Sequence, residues 1–188
     1  GVAGAGTSID LSAAGTDATH GFHNYEGLTF AATSGTATVT FNAAQFGSGL
    51  FANSATITGN AGIQAIVVNN ASNFSAAGWT FVNWTSGTDT ISISGTGGGD
   101  TLTGSSQADS INGQGGADTI DGGAGNDSIT GQAGADTLTG GLGADTFLVG
   151  TASHLAAGET IDGTAEAGTI DTLQLDDAGT YNLTTFGI

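Results

Sequence analysis

Six aspartates, Asp100, Asp109, Asp118, Asp127, Asp136 and Asp145, stand nine residues apart without one insertion or deletion. Carboxylates at fixed spacing hold hard cations when the chain stacks its copies one over another, and the residues around each aspartate favour stacking. Six nonapeptides run from Gly95 to Leu148, each opening on a glycine: Gly95, Gly104, Gly113, Gly122, Gly131 and Gly140. The best copies read GGAGNDSIT from Gly122 and GGLGADTFL from Gly140. Further glycines (Gly97, Gly115, Gly116, Gly123, Gly125, Gly134, Gly141 and Gly143) fill the next places, where positive φ and close backbone approach exclude a Cβ. Two places after each aspartate comes a large apolar residue, Leu102, Ile111, Ile120, Ile129, Leu138 or Phe147, flanked mostly by Thr and Ser. Polar, apolar, polar is the pattern of a short half-buried strand.

One nonapeptide therefore supplies a tight turn and a strand, and two complete a coil of eighteen residues. Stacked coils place Asp100 over Asp118, Asp109 over Asp127, Asp118 over Asp136 and Asp127 over Asp145. Two carboxylates one strand spacing apart, about 4.8 Å, repel by about 3 kcal/mol at an effective dielectric near 20. The chain has no Lys or Arg to relieve this. Calcium does, because it takes several oxygens in flexible geometry from carboxylates and main-chain carbonyls. Metal binding then becomes folding energy, so the chain is expected to be largely unfolded without calcium. Gly- and Asp-rich composition alone would also describe a disordered linker, but unbroken phase with an apolar residue always two places after Asp argues against that.

The remaining composition excludes several functions. Against 17 Asp and Glu there is no cationic side chain, giving a net charge of −17. That leaves no phosphate clamp, Schiff base or basic patch for nucleic acid or anionic lipid. Without cysteine there is no disulfide, thiol nucleophile or thiolate metal site, and without proline no breaker in any strand. No apolar run approaches the roughly 18 residues of a membrane span, so neither nucleic-acid binding nor membrane insertion is expected. No hydrolase or protease motif occurs either, and the module is expected to be non-enzymatic.

Three stretches are expected: a β-rich region over 1–90, a repeat block over 91–150, and an acidic tail over 151–188. In the first, strands are expected at Ser8 to Ser12, Gly27 to Ala31, Ala37 to Phe41, Ala55 to Thr58, Ala65 to Asn69, Trp79 to Trp84 and Thr88 to Ser94. They form either irregular solenoid coils or a small β-sandwich, with the solenoid favoured. Ile93 already sits in the apolar phase of the nonapeptides, so these strands should run into the roll without a linker. Trp79 and Phe81 should alternate with Val82 and Trp84 across one strand, either buried in the core or presented as a sugar-stacking platform or subunit contact. His20, His23 and Glu26 form a weak transition-metal pattern outweighed by an exposed turn.

In the tail the nine-residue phase lapses at His154. Asp162, Glu166 and Asp171 then offer one further calcium site, with solvated loop acids as the alternative. LQLDDAGTYNLTTF from Leu173 aligns with IDLSAAGTDATHGF from Ile9 at a constant offset of 164 residues, with five identities in fourteen. The chain is accordingly read as one period, plus overlap, of a longer array.

The nonapeptides from Gly95 to Leu148 resemble those of the repeats-in-toxin (RTX) family of secreted bacterial proteins, and the tail through Leu175 does so more loosely. The first 85 residues look like the β-rich units between repeat blocks in large surface-layer and adhesin-like members. The resemblance implies a right-handed parallel β-roll binding about four to six calcium ions between stacked turns. Its ligands would be the six aspartates and the turn carbonyls of the glycines named above. Departures at GSSQAD from Gly104, and at Gln114 and Gln132, put the sites using those turns in question. The resemblance further implies type I secretion and an extracellular or cell-surface place. The expected function is a calcium-dependent structural module of a surface layer, adhesin stalk or matrix filament, with copies end to end and a cell-surface glycan as a further partner. The alternative is the secretion and folding module of an exported hydrolase or toxin.

Overall fold

The computed structural model describes residues 8–10, 25–30, 36–43, 51–59, 61–164 and 169–176. His20, His23, Glu166 and most of the 164-residue echo lie outside them. Sixteen strands follow in order: β1 (Ser8–Asp10), β2 (Tyr25–Thr29), β3 (Thr36–Asn42), β4 (Phe51–Thr58), β5 (Ile63–Asn69), β6 (Asn73–Ser75), β7 (Thr80–Val82) and β8 (Thr90–Ser94). The second half holds β9 (Thr101–Thr103), β10 (Asp109–Asn112), β11 (Thr119–Ala124), β12 (Ser128–Thr130), β13 (Thr137–Leu142), β14 (Thr146–Val149), β15 (Thr160–Asp162) and β16 (Thr172–Leu175). The 3-10 turn Ala152–His154 lies between β14 and β15.

All strand pairing among the described residues is parallel, the pattern of a solenoid and not of an antiparallel sandwich. One sheet of eight strands runs in the order β1-β3-β5-β8-β10-β12-β14-β16. Opposite it, a three-stranded sheet β2-β4-β7 gives way to a five-stranded sheet ordered β15-β13-β11-β9-β6. The handover falls between β5 and β8, where β6 begins one sheet and β7 ends the other. β6 has no counterpart among the expected strands, since NFS offers a single apolar residue, Phe74.

Strands form here because inward and outward positions alternate. In β3 the inward residues are Ala37, Val39 and Phe41, and in β5 they are Gln64, Ile66 and Val68. Along the eight-stranded sheet Ile93, Ile111, Ile129 and Phe147 lie in one register row. Phe74, Leu102, Ile120, Leu138 and Ile161 form the facing row. Except for the partly buried Ile161, every one of them is at most 3% exposed. Burying one such side chain is worth about 1.5–3 kcal/mol. The two rows are the core that holds the turns in stack.

The tryptophan segment departs from simple alternation. β7 stops at Val82, and Asn83 adopts φ 54°, which turns the chain back. Trp84 therefore reaches the same side as Phe81, with ring centroids 5.2 Å apart, while Val82 is exposed. Trp79 is buried, in edge contact with Phe74 at 5.9 Å.

Ile129→Ala should lower stability in saturating calcium by about 2–5 kcal/mol, read from thermal or denaturant unfolding. Val82→Ala, on an exposed side chain, should cost under about 0.5 kcal/mol. Equal effects at the two positions would contradict the core rows.

Candidate metal centre

The strand register sets the carboxylates in two columns, one along each edge of the roll. Thr101, Thr119, Thr137 and Thr160 are paired neighbours, so Asp100, Asp118, Asp136 and Glu159 follow one another up one edge. Ser110, Ser128, Thr146 and Thr172 are paired likewise, stacking Asp109, Asp127, Asp145 and Asp171 on the other. The six nonapeptide aspartates are at most 3% exposed. The last four of them bind down onto the backbone of the coil before them. Asp118 Oδ1 accepts from the Asp100 N–H at 2.8 Å, Asp127 Oδ1 from Asp109 at 2.8 Å, Asp136 Oδ1 from Asp118 at 2.9 Å and Asp145 Oδ1 from Asp127 at 2.8 Å.

The second carboxylate oxygen divides the turns into two kinds. At the start of the array it is taken by the turn itself: Thr96 donates its N–H to Asp100 Oδ2 at 2.6 Å and its hydroxyl to Oδ1 at 2.9 Å. Ser105 donates its N–H to Asp109 Oδ2 at 2.6 Å. In later turns the equivalent residue is left-handed, with φ 75° at Gln114, 100° at Gly123, 66° at Gln132 and 102° at Gly141. That rotation swings the N–H away; Gln114 and Gly123 give theirs instead to Asn112 Oδ1 and Asp121 Oδ1. Asp118 Oδ2, Asp127 Oδ2 and Asp136 Oδ2 are left buried with no hydrogen-bond donor, as is Asp109 Oδ1. A buried anionic oxygen without a donor costs several kcal/mol unless a cation meets it.

Gln114 and Gln132 hold the same left-handed turn as Gly123 and Gly141. Their side chains differ in reach, and Gln132 Nε2 donates to Asn112 Oδ1 at 2.7 Å. Gln114 Nε2 donates to Gly95 O at 2.7 Å and so occupies one of the candidate calcium-ligand carbonyls. At the far end the Thr164 hydroxyl donates to Gly141 O in the same fashion.

Glycine at the first turn position is required by the stacking. A Cβ on Gly122 would run into both Asp127 Oδ2 and Gly140 O, and one on Gly104 into Gly122 O. The aspartate and the turn carbonyls of successive coils crowd onto the space the missing side chain leaves. Among the described residues no three His, Asp or Glu side chains converge on one point, so an ion in these columns must complete its shell from backbone carbonyls. That all-oxygen donor set, with unpartnered carboxylate oxygens and no amine or thiolate, fits calcium.

Asp162 stands opposite Thr139, outside the column, and accepts the Thr164 N–H at 2.9 Å. The column position belongs to Glu159, whose Oε2 accepts the Asp136 N–H at 3.1 Å. Asp171 does continue its column, accepting the Asp145 N–H at 2.9 Å. Glu159 is missed by a nine-residue count because the spacing there is 23 residues. The triplet Glu159-Thr160-Ile161, like Asp136-Thr137-Leu138, is the signal that finds it. Asp89-Thr90-Ile91 is a third example, with Asp89 accepting from the Gln64 and Thr85 N–H groups.

Burial pushes the carboxyls of Asp109 and Asp127 up to about 7 and that of Asp118 to about 6, from an ordinary value of 3.8. Glu159 rises to about 7 from 4.5, also by burial. Neighbouring column carboxylates add to each shift, and backbone hydrogen bonds oppose it. The folded metal-free chain therefore holds protons that the unfolded chain releases near pH 4. Their stabilising effect is complete below that pH and is lost as pH rises through 6 to 7. In chelator, far-UV circular dichroism should show more β-structure at pH 5 than at pH 8, and calcium affinity should fall as pH drops below about 6. A chelated chain better folded at pH 8 than at pH 5 would contradict these shifts.

Among curated proteins and solved structures, none matches the chain. The family model described as the RTX calcium-binding nonapeptide repeat (4 copies) matches residues 94–129 and 115–147. The matched residues hold all six nonapeptide aspartates and the left-handed turns between them. Residues 94–147 are thus similar to the RTX calcium-binding nonapeptide repeat.

Proposed function

We propose that the chain is a calcium-dependent structural repeat module that works outside the cell, in a surface layer, adhesin stalk or matrix filament, after type I export. The observation that carries this reading is the pair of carboxylate columns, buried oxygens unpartnered, in a chain with no lysine or arginine. In calcium-poor cytosol the columns oppose folding and keep the chain in an exportable state; calcium outside neutralises them. Among the described residues the outer edges of β1 and β16 carry no partner strand, and edges of that kind favour continuation of the coils, as a filament-forming contact requires.

Within the columns, calcium goes to the turns with left-handed second residues. Asp118, Asp127, Asp136 and Asp145 are the principal carboxylate ligands, joined by carbonyls of the Gly113, Gly122, Gly131 and Gly140 turns. Asp100 is closed by Thr96, and the Gly95 carbonyl by Gln114.

The test is a calcium titration followed by circular dichroism and electron microscopy. Asp127→Asn should raise the calcium midpoint by on the order of tenfold or more, and Asp100→Asn should move it by less than about twofold. Elongated assemblies should form with calcium and dissolve in chelator. Equal shifts for the two variants would overturn the ligand assignment, and compact monomers at every calcium level would overturn the filament role.

A further inference from the structure

The two edge strands of the eight-stranded sheet occupy aligned positions of the 164-residue echo, Ser8, Ile9 and Asp10 against Thr172, Leu173 and Gln174. β1 begins the sheet and β16 ends it. Both occupy the same face by register: Ile9 lies opposite Val39, and Leu173 opposite Phe147. Val39 and Phe147 are core residues, 5% and 2% exposed. Strands that the echo aligns, similar in residue type though not identical, stand at both ends of one sheet in one orientation, as a period of that sheet requires.

The C-terminal end also has the surface of an interrupted core. Leu173 and Leu175 continue the rows of Phe147 and Val149, yet they are 39% and 38% exposed, where Val149 is 5%. Ile170 beside them is 82% exposed. Among the described residues β16 pairs with β14 alone, and no strand lies on its outer edge. An apolar parallel edge of this kind is a template for another strand.

We infer that β16 is the first strand of the next copy of the repeat, and that its free edge pairs with that copy's equivalent of β3, as β1 pairs with β3 here. The occupant is thus a segment of sequence like Thr36–Asn42, brought by the same chain, with its inward residues covering Leu173 and Leu175. The sheet then runs unbroken from copy to copy, with no linker and no separate docking surface. This deepens the structural-repeat reading by naming the joint between copies, but it does not depend on the calcium assignment.

The test extends the full chain by its own residues 25–94, joined directly after Ile188, the point that keeps the 164-residue offset. Hydrogen exchange of the Thr172–Leu175 amides should slow by on the order of tenfold or more relative to the unextended chain. A Leu175→Cys thiol, unique in a chain without cysteine, should lose reactivity to a polar alkylating reagent by a similar factor. A scrambled extension of the same composition should change neither readout. The inference is overturned if exchange and labelling are unchanged by the true extension, or slow equally with the scrambled one. Protection of the unextended chain that grows with its concentration also overturns it, since a second molecule would then be the occupant. An extension that stays unstructured on folded coils contradicts it too, because β16 is the edge it should build on. Calcium-induced dichroism of the unextended chain reports separately on the proposed function, so either reading can fail alone.

Discussion

Carboxylates stacked one coil apart repel, and nothing cationic in this chain stands between them. The fold places Asp118, Asp127 and Asp136 deep enough that water does not substitute for a counterion, and each keeps one oxygen without a donor. Most soluble proteins would relieve such a column with lysine or arginine at a neighbouring position. Here the relief must come from solution, which ties the integrity of the roll to the divalent cation around it. Every other feature of residues 95–148 can be understood as holding these columns straight. The two isoleucine- and leucine-rich rows fix the height of each coil, the strand register places aspartate over aspartate, and glycine at the head of each turn lets carbonyls approach where a Cβ would block them.

The ends of the array are treated differently from its middle. Thr96 satisfies the Asp100 carboxylate and Ser105 one oxygen of Asp109 from within their own turns, Gln114 reaches back to the Gly95 carbonyl, and Thr164 covers Gly141. Protein donors thereby replace the cation at the margins, where one flanking coil departs from the nonapeptide rule. Glu159 and Asp171 continue the columns one coil past the last nonapeptide, although the coil beneath them has lengthened to 23 and 26 residues.

The repeat block was legible in sequence because its constraints act on residue type at fixed spacing: only glycine fits the turn head, only an acid serves the column, and only a large apolar residue fills the row. The solenoid path of the earlier strands was legible in outline, through alternation at Ala37 to Phe41 and Ala65 to Asn69. Their coils, however, are 27 and 25 residues long, as Thr36 opposite Ile63 and Ala65 opposite Thr90 show, against eighteen for Ile93 opposite Ile111. Varying loop length erases the phase that a periodic reading needs. One detail of the site was beyond residue type altogether. Left-handed Gln114 and Gln132 imitate glycine, while Thr96 and Ser105 at the same turn position do not. Glu159 was hidden by an insertion and by the extra methylene that distinguishes it from aspartate. The reversal at Asn83 that brings Trp84 onto Phe81 likewise depends on one dihedral angle that strand periodicity does not encode.

If uncompensated columns govern this fold, the folding equilibrium must be a function of free calcium. The direct measurement is the unfolding free energy by denaturant titration across a series of buffered calcium concentrations, from chelator to millimolar. The logarithm of the folding constant should rise with the logarithm of calcium at a limiting slope of about 2 or more, the number of ions taken up on folding. A folding constant independent of calcium across that range would contradict the account.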